Sequence, residues 1–247
     1  MSAIKLMVIP DTQVKPGIPL DHLRWAGLYA ADKRPDVIIC LGDFADMESL
    51  SEYDKGKRSY EGRRYSKDIA AARRAMGLLT TPIERARRYS PRRIITLGNH
   101  EQRINRACEN DPTLDGTISV KDLGYEEAGW QVHPFLEVVK VGGVHFSHFF
   151  PSGVMGRPCT TARKIIATYH VSAIAGHQQG RDVAYAKRGD GKNLTAIIAG
   201  SFYQHNEAYL TPMANACWRG IVMLHEVKDG QFDEMFVSLG FLKRRYG

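Results

Sequence analysis

Short apolar runs alternate along the chain with longer stretches in which apolar residues recur every three or four positions. The runs Ile4 to Ile9, Val37 to Leu41, Arg93 to Leu97 and Val171 to Ala175 are rich in β-branched residues and read as strands buried on both faces. Between them the spacing predicts helices. One starts at Asp21 as N-cap and runs to about Asp32, ahead of Pro35. A second starts near Ser66 and puts Ile69, Ala72, Met76 and Leu79 on one face. A third starts at Thr81-Pro82, an N-cap followed by proline at the first helical position. Strand and helix therefore alternate through the first half, which predicts a parallel sheet.

The second half changes character. Leu136 to Phe149 reads as a hairpin turning at Gly142-Gly143, and Val183 to Lys187, Leu194 to Ala199, Ile221 to Val227 and Phe232 to Val237 read as further strands. A helix over about Thr161 to Tyr169 interrupts them. Without internal repeat, low-complexity tract or linker, a single domain over residues 1–247 is the simplest organisation.

Composition narrows the class. Apolar residues make up 43% and charged residues 25%, ordinary for a globular protein able to bury a core without disulfides. Cys40, Cys108, Cys159 and Cys217 are scattered, which points to a reducing compartment and excludes a cysteine zinc site. The N-terminal apolar run is too short for a signal peptide, and no stretch approaches the ~18 apolar residues of a membrane span. The expectation is a soluble, cytoplasmic protein with no membrane partner.

Net charge is +7 and concentrated in a basic helical segment at about 51–93; from Lys55 to Arg93 only Glu61, Asp68 and Glu84 oppose thirteen lysines and arginines. Such an excess suits a polyanionic partner, with Arg73, Arg74, Arg87 and Arg88 as candidate substrate contacts, although a solvated helical face accounts for it equally well. The polar loop Ser51 to Tyr65 directly follows one of the polar clusters described next, which suits either a mobile flap over a site or a plain surface loop.

The strand ends carry the chemistry. Ligands of open α/β sheets bind beyond the carboxyl ends of the strands. Here four runs end at Asp11, Asp43, Asn99 and His177, and the hairpin ends at His148. Each alone is more simply a helix or turn cap; drawn from so many separate segments, together they indicate one shared site. Asp and Asn oxygens with His nitrogens suit Mn, Fe, Zn or Mg, and a carboxylate such as Asp43 can bridge two ions. In His145-Phe146-Ser147-His148 the two imidazoles fall on opposite strand faces, and His148, at the strand's end, fits the site better. His22, His133, His170 and His225 read as surface or packing residues.

These segments resemble the calcineurin-like metallophosphoesterases, whose motifs run Asp-x-His, Gly-Asp-x-x-Asp, Gly-Asn-His-Glu, a lone His after a strand, and Gly-His-x-His. The corresponding residues are Asp11-Thr12-Gln13, Gly42-Asp43-Phe44-Ala45-Asp46, Gly98-Asn99-His100-Glu101, His148, and Gly176-His177-Gln178-Gln179. The resemblance spans residues 4 to about 201 and implies an α/β/β/α sandwich of two mixed sheets flanked by helices. It also implies two divalent ions: Asp11 on the first, Asp43 bridging, and Asn99, His148 and His177 on the second. His100 would lie beside the substrate phosphate and assist the leaving oxygen, oriented by Asp46, which alternatively is a helix N-cap.

Two histidines of the family pattern, both ligands of the first ion, are Gln13 and Gln179 here. An amide oxygen is a neutral, hard donor, so the first site should be weaker and favour Mn or Mg. His205 is an alternative source of a nitrogen there, its plainer reading being a surface loop residue. The function expected is hydrolysis of a phosphate ester by metal-bound hydroxide, with Mn favoured over Fe, Zn or Mg. The basic segment tilts the substrate toward a phosphodiester in a nucleotide or nucleic acid, as in a nuclease. The alternatives are a phosphomonoesterase on a protein or small molecule, and a non-catalytic nucleic-acid- or metal-binding relative.

Overall fold

Strand β1 (Ile4–Ile9) sorts its side chains between two apolar layers, Leu6 and Val8 entering one and Met7 and Ile9 the other. The computed structural model describes residues 2–207 and 210–247. After β1 come helix α1 (Asp21–Lys33), β2 (Val37–Cys40), α2 (Tyr65–Arg85), β3 (Arg92–Thr96), α3 (Gln102–Asn110) and β4 (Gln131–His133). The hairpin β5 (Val139–Val141) and β6 (Val144–Ser147) follows, then a small ribbon of β7 (Pro151–Ser152) and β8 (Arg157–Pro158). The chain continues through α4 (Ala162–Tyr169), β9 (Ala173–Ala175), β10 (Arg181–Lys187) and β11 (Asn193–Ala199). It closes with α5 (Pro212–Asn215), β12 (Gly220–Lys228), β13 (Gln231–Ser238) and α6 (Leu239–Tyr246).

Two mixed sheets result. The first has the order β13-β12-β1-β2-β3-β4, with β1 to β4 parallel and β12 and β13 antiparallel. The second runs β10-β11-β9-β6-β5, parallel at its centre and antiparallel at its edges. They face each other across a core in which Leu6, Val8 and Ile39 of the first meet Phe146, Ile174 and Ile197 of the second. Leu23, Trp25, Met76 and Leu79 cover the outer face of the first sheet, and Ile165 and Ile166 that of the second. The expected α/β fold of two mixed sheets flanked by helices is the fold observed.

Several local expectations need correction. No third helix starts at Thr81-Pro82, because α2 runs through Pro82 to Arg85. The buried face Ala72, Met76 and Leu79 continues to Ile83, and burying that side chain holds the last turn despite the missing proline N–H. Leu20 occupies the N-cap of α1, and Asp21 is its first helical residue, where its carboxylate faces the positive end of the helix dipole. The loop after β2 is pinned rather than open: Tyr60 Oη donates to the Ser49 carbonyl at 2.6 Å, and Arg63 pairs with Asp54 at 2.8 Å. The strand expected from Val171 begins only at Ala173, after His170 ends α4 in a left-handed conformation.

Candidate metal centre

Parallel pairing of β1, β2 and β3, and of β6, β9 and β11, brings six strand ends to one edge of the molecule. There Asp11 pairs with Ser201 in a parallel bridge, and the Gly176 N–H donates to the His148 carbonyl at 2.9 Å. The backbone is bent sharply at the residues that matter. Gln13, Asp43, His177 and Gln179 all have positive φ, at 45°, 46°, 67° and 59°. Side chains other than glycine seldom adopt this conformation without compensating contacts. Here the N–H groups of Thr12 and Gln13 both donate to the Asp43 carbonyl, at 3.1 and 3.0 Å. Glu101, fully buried, accepts from the N–H groups of Asp43 (3.0 Å), Ala45 (2.9 Å) and Gly98 (2.8 Å), fastening the loops after β2 and β3 together. A Cβ on Gly98 would lie 2.1 Å from Asp43 Oδ1, so only glycine lets the two loops approach this closely.

The residues expected on the second ion converge. Asn99 Oδ1 lies 2.9 Å from both His148 Nε2 and His177 Nδ1, and those nitrogens are 3.2 Å apart. Asp43 Oδ2 lies 3.4 Å from His148 Nε2. Asp43, His148 and His177 together offer ligand atoms within 4.8 Å of one another. His148 Nδ1 is engaged by the Leu41 carbonyl at 2.8 Å, so its proton resides there and Nε2 presents a lone pair to the cluster. With that ring neutral, its lone pair faces the Asp43 and Asn99 oxygens, an arrangement that calls for positive charge, which a proton on Nε2 or a metal cation supplies. Burial disfavours a charged His148, but the neighbouring Asp43 carboxylate raises its pKa to about 9. Burial and then the charge of His148 lower His177 to about 4. Burial opposes ionisation of Asp43, yet His100 and His148 hold it well below the usual carboxylate range.

The first-ion residues are oxygen donors. Asp11 is fully buried; its Oδ1 accepts the His177 N–H at 3.0 Å, and its Oδ2 is buried without a partner. Burial raises its pKa to about 7. Gln13 places Nε2 3.3 Å from Asp43 Oδ2 and leaves Oε1 buried and unpartnered. These two orphaned oxygens, beside a carboxylate able to bridge, fit a hard divalent ion. Gln179 differs from expectation, because its Oε1 accepts the Tyr203 hydroxyl at 2.5 Å. His205 binds Glu207 through Nε2 at 2.6 Å.

His100 stands beside this cluster, with Nδ1 on Asp46 Oδ1 at 2.7 Å and Nε2 3.7 Å from Asp43 Oδ2. Burial works against its charged form, but Asp43 and Asp46 raise its pKa on balance. Sequence reasoning missed Arg103, which donates to the Asp46 carbonyl at 2.7 Å and sets Nη2 3.3 Å from His100 Nε2. The signal was present, since a residue three positions after His100 at a helix start must sit beside it. Lys15, also missed, pairs with Asp46 at 3.3 Å and Glu207 at 2.6 Å, and no periodic pattern marks it.

The structure does not bring the four candidate arginines to this cluster. Arg73 is held by Glu127 at 2.7 Å and by the Asp122 carbonyl at 2.6 Å. Arg74 lines a groove between α1 and α2. Helix α2 runs antiparallel to the strands it joins, and its 21 residues span roughly 31 Å. Arg87 and Arg88 follow its far end, where their carbonyls accept from Arg34 at the end of α1. Direct contact between Arg87 or Arg88 and a phosphate at the cluster is therefore corrected by topology.

No protein-family model matches the chain, and no curated protein matches it. Among solved structures the chain is similar to a dimetal phosphatase from Danio rerio, with 11% identity, a TM-score of 0.43, and coverage of 97% of this chain and 100% of that one. It is also similar to a second solved structure, with 10% identity, a TM-score of 0.48, and coverage of 96% of this chain and 99% of that one.

Proposed function

We propose that this protein is a metal-dependent phosphoesterase acting on phosphodiesters of nucleotides or nucleic acids. The observation that carries the reading is the convergence of ligand atoms from buried Asp43 and His148 and half-buried Asn99 and His177, with His100 held on Asp46 at their margin. One ion would be held by Asp43, Asn99, His148 and His177, and a second by Asp11, Asp43 and Gln13, with Gln179 joining if Tyr203 releases it. Such a pair supplies a water nucleophile at neutral pH and positive charge for the phosphoryl oxygens.

The chain's own residues do the rest. His100 donates a proton or hydrogen bond from Nε2 to the departing oxygen, while Asp46 fixes the ring through Nδ1. Arg103, 3.3 Å from that nitrogen and a donor like it, steadies Asp46 and offers a guanidinium to an incoming phosphate. The buried walls formed by Phe149 against His177, ring centroids 4.9 Å apart, limit water on that side. The diester preference rests on Lys55 and Arg58, exposed on the loop that leaves the site end of β2.

The test compares a chromogenic phosphodiester with its monoester across Mn, Mg, Zn and Fe. Mn-dependent turnover with the diester ahead is expected. A faster monoester would assign the site to phosphomonoesters, and no turnover with any ion would leave a non-catalytic metal-binding protein.

A further inference from the structure

Part of the basic segment faces away from the metal cluster and onto a groove of about 560 Å³ between α1 and α2. Its floor is apolar, formed by Leu28 of α1 and by Leu78, Pro82 and Ala86 of α2 and its end. Arg24, Arg74 and Arg85 stand around it. All three are exposed, and none makes a hydrogen bond or ion pair among the described residues. Their neighbours contrast with them, since Arg73 is paired with Glu127 and Arg93 with Glu84.

Three like charges around one apolar trough repel each other and gain from any anion that enters. A polyanion alone has no use for the floor. An apolar ligand alone leaves the guanidiniums unmatched. A helix with leucine-type residues on one stripe and carboxylates along its flanks satisfies both, and a trough between two helices is the usual seat for such a stripe. We infer that this groove is the docking site for an acidic amphipathic helix of a partner protein, remote from the metal cluster and independent of its chemistry.

Gly77 provides a clean test. It lines the groove, and a Cβ there meets nothing within 4 Å. Gly77→Leu should therefore fill the trough without disturbing the core, and replacing a mid-helix glycine favours the helix. The probe is a synthetic helical peptide with leucines at i, i+3, i+4 and i+7 and glutamates on its flanks. Binding to the full chain is followed by fluorescence anisotropy. The peptide should bind, with affinity falling at least ~10-fold for Gly77→Leu and for Arg24→Glu/Arg85→Glu, and with more salt dependence for wild type than for the double variant. Phosphoester turnover by both variants should equal that of wild type. Three outcomes would overturn the inference: equal binding of a peptide with serines for the leucines, displacement by short single-stranded or duplex DNA at equal charge, or unchanged affinity in Gly77→Leu. Concentration-dependent dimerisation of the wild type that Gly77→Leu abolishes would overturn it too, assigning the groove to a second copy of the chain.

Discussion

At the scale of single residues, the contrast between His100 and the ligand histidines is the sharpest handle. His148 and His177 turn ring nitrogens toward Asn99 and Asp43, whereas His100 commits one nitrogen to Asp46 and keeps the other near Arg103. His100→Asn should lower turnover by about 10²–10⁴-fold while bound metal stays constant, as measured by kinetics alongside elemental analysis. Loss of metal from that variant would mean that His100 is a ligand. A second histidine reports on folding. Burial, and then the charge of His205, lower His22 to about 3 from 6.5. The folded chain keeps this ring neutral where the unfolded chain takes up a proton. Its contribution to stability is therefore complete above pH 6.5 and is lost as pH falls from about 6.5 toward 3. Urea midpoints measured over that range should fall less steeply for His22→Phe, a ring that keeps the edge contact with Phe202. Parallel curves for the two proteins would count against the assignment.

At the scale of elements, the loops matter more than the strands that carry them. Glu101 accepts three N–H groups from the turns after β2 and β3. Glu101→Ala would leave those donors buried and unmatched, at about 1–3 kcal/mol each. Unfolding in denaturant should show a loss of about 3 kcal/mol or more, and metal titration a weakened site; a loss below 1 kcal/mol, within the usual scatter for surface changes, would show that water replaces the carboxylate. The ends of these strands could be read from sequence because doubly buried strands are nearly continuous apolar runs, and the residue that stops each run is conspicuous. Local patterns fail where a distant partner decides. Thr81-Pro82 has every local mark of a helix start, but the burial of Ile83 overrides it. Helix α3 was not foreseen because Ile104 is its only buried residue, so it has no apolar stripe to detect. The separation of the arginines from the cluster was hidden for a third reason, since a local excess of charge does not reveal that α2 carries the chain toward the opposite edge.

At the scale of the whole molecule, the candidate ligands come from both sheets, Asp11, Asp43 and Asn99 from one and His148 and His177 from the other. Metal binding should therefore reinforce the contact between them. An ion present at 100 times its Kd adds about 2.7 kcal/mol to the folded state, so calorimetry should record a higher melting temperature with Mn. Two ions should be distinguishable by affinity, because one shell contains two imidazoles and the other only oxygens. Gln13→His/Gln179→His should tighten the weaker ion and shift its preference toward zinc or iron, as read by competitive metal titration. Equal affinity for both ions in the wild type would contradict this account, as would an unchanged preference in the double variant.

The pairing of β1 with β12, Ile4 opposite Val227, has a consequence for how the protein is made. Once β1 has emerged, β2 can join one of its edges soon afterwards, but the other edge waits for a partner roughly 200 residues downstream, on the order of 10–40 s of synthesis. Throughout that interval the nascent chain presents an open hydrophobic edge on which a neighbouring chain can pair. Messages truncated before the codons for β12 should yield fragments that remain insoluble even at low expression, whereas supplying the β12–β13 hairpin as a separate peptide during refolding should recover part of them in soluble form.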